Sequence, residues 1–156
     1  MVEDLRRARD RHGVPLRFPW DMAVLRTTLP AQRLLTAITM EPPPFPERFL
    51  EPVSRQLWLR IWSRREDVAA DASLRAACAA AGVPGTDADR LLEAAAAAPA
   101  KDMLRRTTDE AVARGAFGAP AIFVSKRIGE EKWHHFFGSD RFEDIAALIG
   151  RPWLGP

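Results

Sequence analysis

Apolar residues recur at helical spacing through most of this chain. In the clearest stripe, apolar side chains return every fourth residue, with two tryptophans one step around the same helix: Phe49, Val53, Leu57, Ile61, Trp58 and Trp62. Such a period is typical of a helix with one face in a core. Together with glycines and capping residues that end each pattern, it predicts the stripe helix and further helices over 2–11, 30–40, 71–81, 86–98 and 101–114.

Prolines and turn residues sharpen these boundaries. The proline-rich stretch 41–46 must break the helical pattern, and Pro52 predicts a kink or a late start of the stripe helix. Two prolines in 14–20 predict an ordered loop that presents Phe18 and Trp20. Thr86 and Asp89 have the spacing of a capping box. We expect the two stripe tryptophans to fill the core rather than to line an aromatic ligand pocket.

The pattern changes after Gly115. Residues 119–124 and 132–137 are short, apolar segments that predict a hairpin, and 141–149 has the apolar spacing of a final helix. A helical block followed by strand, strand and helix corresponds to half of a thioredoxin-like sheet. We therefore expect an α/β fold, with a helical insertion domain over 1–114 and the C-terminal half of the thioredoxin-like domain over 115–156.

The other half of such a sheet would be a βαβ unit ahead of the helices. That unit takes about 30 residues or more, whereas residues 1–13 have the pattern of one helix ending at Gly13. A two-stranded hairpin alone is marginal in water, so Ile122 and Val124 need a cover from the helices, another chain or a further segment. The expectation is a chain that lacks the N-terminal βαβ segment.

Charge and cysteine content exclude several classes of function. The chain has 23 Lys plus Arg against 21 Asp plus Glu, interleaved rather than clustered, so no nucleic-acid partner is expected. No apolar run reaches the roughly 20 residues of a membrane span. Cys78 stands alone, which rules out an intrachain disulfide or a multi-cysteine zinc site. His134 and His135 are adjacent on a predicted strand and point to opposite faces, so no metal site is assigned to them.

Several stretches resemble the kappa-class glutathione transferases. They are the tryptophan-rich helix 54–67, the segment 115–120, the segment 137–141 and the tail 151–156. DsbA-like oxidoreductases and bacterial 2-hydroxychromene-2-carboxylate isomerases share the same superfamily, a thioredoxin domain interrupted by helices. The tryptophan-rich helix and the Trp-Leu-Gly-Pro ending favour the transferase branch.

The resemblance implies a glutathione site on the thioredoxin half. Ala119 would bind the cysteine part of the tripeptide through its main chain, just before a cis bond to Pro120. Ser139 and Asp140 would hold the γ-glutamyl end, where helix-start amides attract its carboxylate and Asp140 pairs with its ammonium. The alternatives are ordinary ones: Pro120 as the start of an edge strand, and Asp140 with Glu143 as a capping box.

The family's catalytic group is a serine hydroxyl near its first strand that favours the glutathione thiolate. No residue of this chain matches that motif, so no catalytic residue is assigned. The serines at 54, 63, 73 and 125 have ordinary helix or turn explanations. The long hairpin and the small side chain of Ala119 depart from the family pattern and suggest a different electrophile pocket.

The function implied by the resemblance is transfer of glutathione, as co-substrate, to hydrophobic electrophiles by a homodimer. The expected location is the mitochondrial matrix or the peroxisome, with the cytoplasm as an alternative. Two other functions remain open at this point. One is glutathione-dependent isomerisation of 2-hydroxychromene-2-carboxylate, and the other is a non-catalytic, truncated isoform that acts as a binding module.

Overall fold

The computed structural model describes residues 2–17 and 28–155 of the chain. It divides into two compact units, Met1–Leu104 and Arg105–Pro156. The predicted presentation of Phe18 and Trp20 lies outside the described residues. The proposed domain boundary between residues 114 and 115 stays a prediction.

The first unit is helical. Its elements are α1 (Val2–His12), α2 (Leu29–Thr39), α3 (Phe45–Leu59), a π-helical turn (Arg60–Arg64), α4 (Asp71–Ala80), α5 (Gly85–Ala96) and the first part of α6 (Ala98–Ala113). Helix α2 packs against α3 and α5, and α4 packs against the same two helices. The core between them comprises aliphatic, alanine and phenylalanine side chains, including Leu34, Ile38, Phe49, Val53, Leu57, Ile61, Val68, Leu74, Cys78 and Leu91.

The stripe prediction is confirmed at its apolar positions, because Phe49, Val53, Leu57 and Ile61 are all buried. The predicted late start is wrong: α3 begins at Phe45 and continues through Pro52. Its start has a proline in the first turn, where a missing amide is harmless. The Phe45 ring also packs 4.7 Å from that of Phe49. These contacts extend the helix toward its N-terminus.

Two further expectations fail in this unit. Trp58 is 54% exposed, so it does not fill the core, whereas Trp62 is partly buried and packs against the core, as expected. Trp58 lies beside the buried stripe, and the helices that cover the stripe do not cover its margin. The capping box does not form either: α5 begins at Gly85 without a side-chain cap, and Asp89 accepts a 2.6 Å bond from Arg75 instead.

Arg60 joins the end of the long helix to the start of α4. Its side chain is 14% exposed, and its Nη1 lies 3.1 Å from Glu66 Oε2, an ion pair without hydrogen-bond geometry. Its Nε donates to Ser73 Oγ at 3.0 Å and to the Asp67 carbonyl at 3.3 Å. The π-helical turn ends at Arg65, which has a left-handed φ of 59°. The partly buried guanidinium therefore bonds groups on both sides of this reversal of the chain.

The second unit contains the predicted hairpin and final helix. Strands β1 (Ala121–Val124) and β2 (His134–Phe137) pair antiparallel, with Ala121 opposite Phe137 and Val124 opposite His134, and α7 spans Phe142–Leu148. In this register His134 and His135 point to opposite faces, as predicted. Ala146, at 9% exposure, is the one buried residue among described residues 105–155. The unit therefore leaves much of its aromatic surface exposed.

None of the helices in the described ranges has the length and apolarity needed to cross a membrane.

Candidate functional site

The residues assigned to the site by sequence lie at one end of the hairpin. The Ala119–Pro120 bond is cis, which confirms that expectation. The Gly138 amide donates to the Pro120 carbonyl at 3.1 Å. Ala119 and Ser139 each lie one residue beyond this hydrogen bond, so the bond holds the two segments of the site side by side.

The same hydrogen bond fixes the direction in which the β1 backbone points. Bonded and non-bonded pairs alternate in an antiparallel ladder. Because Pro120 and Gly138 are bonded, the amide and carbonyl of Ala121 point away from β2. The described residues form a sheet of two strands, so no other strand lies beside that edge. In the described ranges, the main chain of Ala119 likewise makes no hydrogen bond. The edge next to Pro120 can therefore accept an extended peptide.

Gly138 brings the Asp140 side chain back toward the hairpin. Its φ is +115°, which L side chains rarely adopt, and a Cβ there would lie 2.5 Å from Asp140 Oδ1. The carboxylate thus occupies the space that any other residue at 138 would fill. Glycine is required at this position on both counts.

Asp140 is not a helix cap. Helix α7 begins at Phe142, its N-cap is Arg141, and no side-chain cap bond forms. The Asp140 carboxylate is 70% exposed and pairs with Arg141 at 3.1 Å. Arg141 also lies 3.6 Å from Asp144. Within the described ranges Asp140 makes no hydrogen bond to a backbone amide, and Arg141 contacts only its Oδ2, so Oδ1 is available to a ligand.

An exposed hydroxyl, a carboxylate and a guanidinium therefore follow one another at Ser139, Asp140 and Arg141. A carboxylate binds an ammonium, whereas a guanidinium binds a carboxylate. The group can thus bind a zwitterion at one position. Sequence reasoning gave no role to Arg141, although its place beside Asp140 was the signal that could have indicated one.

An aromatic surface adjoins this end of the hairpin. Phe117 is 75% exposed, and its ring centroid lies 4.6 Å from that of Phe137. Gly118 allows the contact, because a Cβ there would lie 3.0 Å from the Phe137 ring. The two rings form an exposed apolar surface to which an apolar molecule can bind.

Three of the serines discussed above, and the thiol, have structural roles. Ser54 donates to the Leu50 carbonyl at 2.7 Å, and Ser125 donates to the Arg127 carbonyl at 2.7 Å. Ser73 bonds to Asp67 and Arg60. Burial raises the pKa of the Cys78 thiol to about 11, which keeps it protonated at neutral pH. None of these groups is prepared as a nucleophile.

The strand, strand and helix order, preceded by a helical unit, defines a thioredoxin-like domain with a helical insertion. Residues 1–150 match the family described as the DSBA-like thioredoxin domain. Over its full length the chain is 41% identical to Glutathione S-transferase kappa 1 of Homo sapiens, covering 67% of that protein. It is 40% identical to the Rattus norvegicus protein of the same name over 92% of the chain and 62% of the relative. Glutathione s-transferase kappa 2 of Caenorhabditis elegans is 29% identical, with 100% and 68% covered.

The chain belongs to the kappa-class glutathione S-transferase family. It spans about two thirds of the length of these relatives. The roles of Ala119, Pro120, Ser139 and Asp140 stay predictions, and their common position at one end of the hairpin is the geometric basis for the proposal that follows.

Proposed function

We propose that this end of the hairpin binds glutathione for transfer of its thiolate to hydrophobic electrophiles. Glutathione offers an extended peptide backbone, a thiol and a γ-glutamyl zwitterion. The main chain of Ala119, beside the Pro120 edge, would bond the cysteine residue of the tripeptide as a short added strand. This part of the proposal is supported by the lack of a hydrogen bond at Ala119.

The charged end of glutathione would lie at Ser139, Asp140 and Arg141. Asp140 accepts from the γ-glutamyl ammonium, while Ser139 and Arg141 donate to its carboxylate. The observation that carries this assignment is the Asp140 carboxylate itself, which is exposed, is not used as a helix cap and lies beside a cation of opposite preference. Phe117 and Phe137 would contact the apolar electrophile.

Activation of the thiol needs a further group. The buried and hydrogen-bonded serines described above have no hydroxyl free for it, and resemblance to the family calls for a serine. No residue in the described ranges is therefore assigned the activating role. The homodimer and the mitochondrial or peroxisomal location remain part of the same proposal.

Calorimetric titration with glutathione tests the charged contact. Asp140→Asn removes the charge and preserves the shape, and Asp144→Asn is the matched control because it removes an acid that also faces Arg141. We expect Asp140→Asn to weaken binding by about tenfold or more, the effect of losing one charge-assisted hydrogen bond. The glutathione affinity of the control variant should stay within twofold of that of the unsubstituted chain. Cysteinylglycine, which lacks the γ-glutamyl end, should bind both variants equally.

Three results would contradict the assignment: equal losses in the two variants, an equal loss with cysteinylglycine, or a lower melting temperature with unchanged affinity. Turnover with a chlorinated nitroaromatic tests the activation step separately. Conjugation by this chain well above the uncatalysed rate would show that one of its own residues activates the thiol. Conversion of 2-hydroxychromene-2-carboxylate alone would favour the isomerase instead.

A further inference from the structure

A second pocket lies at the opposite end of the hairpin, within the second unit. It is a shallow, open pocket of about 310 Å³ that is lined by Thr107, Glu110, Ala111, Arg114, Phe123 and Trp133. Trp133 immediately precedes β2, whereas Ser139 follows its end. The two positions flank the four residues of β2, which span about 13 Å at the rise of a strand. One small ligand cannot occupy both places, so this pocket is distinct from the glutathione site.

The pocket contains a guanidinium held in one orientation. The Arg114 guanidinium carbon lies 4.0 Å from the centroid of the Trp133 ring. Its Nη2 donates to Glu110 Oε1 at 2.6 Å. The side chain of Arg114 is 29% exposed, while that of Glu110 is 62% exposed. In the described ranges no acceptor bonds to Arg114 Nε or Nη1. The ring contact and the ion pair thus position a partly desolvated cation that retains free donors.

The remaining walls favour an aromatic ring. Phe123 is half-buried and stacks on His135 at 4.7 Å, so its ring is fixed as one wall. Trp133 is 47% exposed and offers a second aromatic surface. The volume lies at the small end of the roughly 300 to 1,000 Å³ usual for ligand pockets. A molecule of one or two fused rings fits that space.

A groove next to this pocket indicates how a charged ligand would be oriented. A larger groove of about 640 Å³ lies on the loop side and shares Phe123 and Trp133 with the pocket. Two carboxylates, Glu130 and Glu131, and one cation, Arg127, line that groove. An anionic group is therefore favoured at Arg114 and disfavoured toward the loop.

We propose that this pocket binds a small planar aromatic monocarboxylate. The ring lies against Phe123 and Trp133, and the carboxylate accepts hydrogen bonds from the free donors of Arg114. The ligand undergoes no reaction there. The proposal does not depend on the glutathione assignment, because it uses none of the same side chains.

Binding of 2-naphthoate to the full chain, measured by calorimetry, tests the proposal, with 2-naphthalenemethanol as the uncharged probe and cyclohexanecarboxylate as the non-aromatic one. We expect 2-naphthoate to bind at least tenfold more tightly than either. Arg114→Gln should weaken 2-naphthoate about tenfold and leave the alcohol unchanged. Arg105→Gln, an exposed arginine on the same helix, is the matched control and should change neither. Trp133→Leu should weaken both aromatic probes.

Saturating glutathione should leave the 2-naphthoate affinity unchanged, which separates this site from the proposed glutathione site. The proposal is overturned if the alcohol binds as tightly as the acid, since the cation would then have no role. It is also overturned if Arg114→Gln affects both naphthalene probes equally, which indicates a structural effect, or if glutathione displaces 2-naphthoate. Circular dichroism of the variants establishes that each is folded.

Discussion

Replacement of Arg60 by methionine tests whether burial determines how much an ion pair contributes to the stability of the helical unit. Methionine keeps most of the apolar stem and removes the guanidinium. The change breaks the ion pair with Glu66 and the Nε bonds to Ser73 and the Asp67 carbonyl. Because the Arg60 side chain is 14% exposed, water cannot fully replace these contacts.

The magnitude follows from the partners. Loss of hydrogen bonds from a charged donor costs about 1.5 to 3 kcal/mol. Breaking a buried ion pair costs about 3 to 5 kcal/mol, but Glu66 is 40% exposed and lacks hydrogen-bond geometry, so only a small part of that range applies. We expect Arg60→Met to lower the free energy of unfolding by about 2 to 3 kcal/mol. Arg60→Lys should recover part of the loss, since it restores the charge without the Nε donor.

Arg75→Met is the control. Arg75 pairs with Asp89 at a shorter distance, 2.6 Å, but the two side chains are 50% and 59% exposed. Exposed pairs contribute about 0 to 1 kcal/mol. Urea unfolding followed by far-ultraviolet circular dichroism compares the variants. If Arg60→Met lowers the free energy of unfolding no more than Arg75→Met does, then burial does not decide the contribution of these ion pairs and the reasoning is wrong.

Two further predictions concern single residues. Burial raises the pKa of the Cys78 thiol from 9.0 to about 11, so the contribution of the neutral thiol to stability is complete below pH 9 and declines as pH rises toward 11. At pH 8, Ellman's reagent should label the unfolded chain promptly and the folded chain only as fast as it opens. Fast labelling of the folded chain would contradict this burial. Gly138→Ala should displace the Asp140 carboxylate and weaken glutathione binding at least as much as Asp140→Asn. Gly129 also has a positive φ, +85°, but has open space around it, so Gly129→Ala should lower stability and leave glutathione affinity unchanged. Titration of both variants with glutathione distinguishes a local effect at Asp140 from general backbone strain.

The helical core could be predicted from sequence because each helix repeats the same apolar spacing over several turns. Phe49, Val53, Leu57 and Ile61 reinforce one another, and all are buried. The edge of that stripe could not be predicted the same way. Trp58 has the apolar character of a core residue, but its exposure depends on how far neighbouring helices extend, which no local pattern records.

The two candidate sites also differ in how far the sequence could predict them. Ser139 and Asp140 were assigned through resemblance to a family. The hairpin places them next to the bond between Gly138 and Pro120, and their roles stay predictions. Arg114 and Trp133 pair across a strand and a long loop. Neither residue belongs to a motif, so their contact follows only from the register of the hairpin against the end of α6. Local sequence patterns cannot reveal such a pair.

Asp140 provides the strongest physical argument for a ligand at the hairpin end. The sequence places it at capping-box distance from Glu143, and a side-chain cap would stabilise α7 by about 1 kcal/mol. The structure instead has the carboxylate over Gly138 and leaves the cap unformed. Glu143 and Asp144 already place negative charge in the first turn of α7. The start of α7 is therefore stabilised without Asp140, and the exposed carboxylate, whose one ion pair in the described ranges is with Arg141, is in a position to bind the ammonium of a ligand.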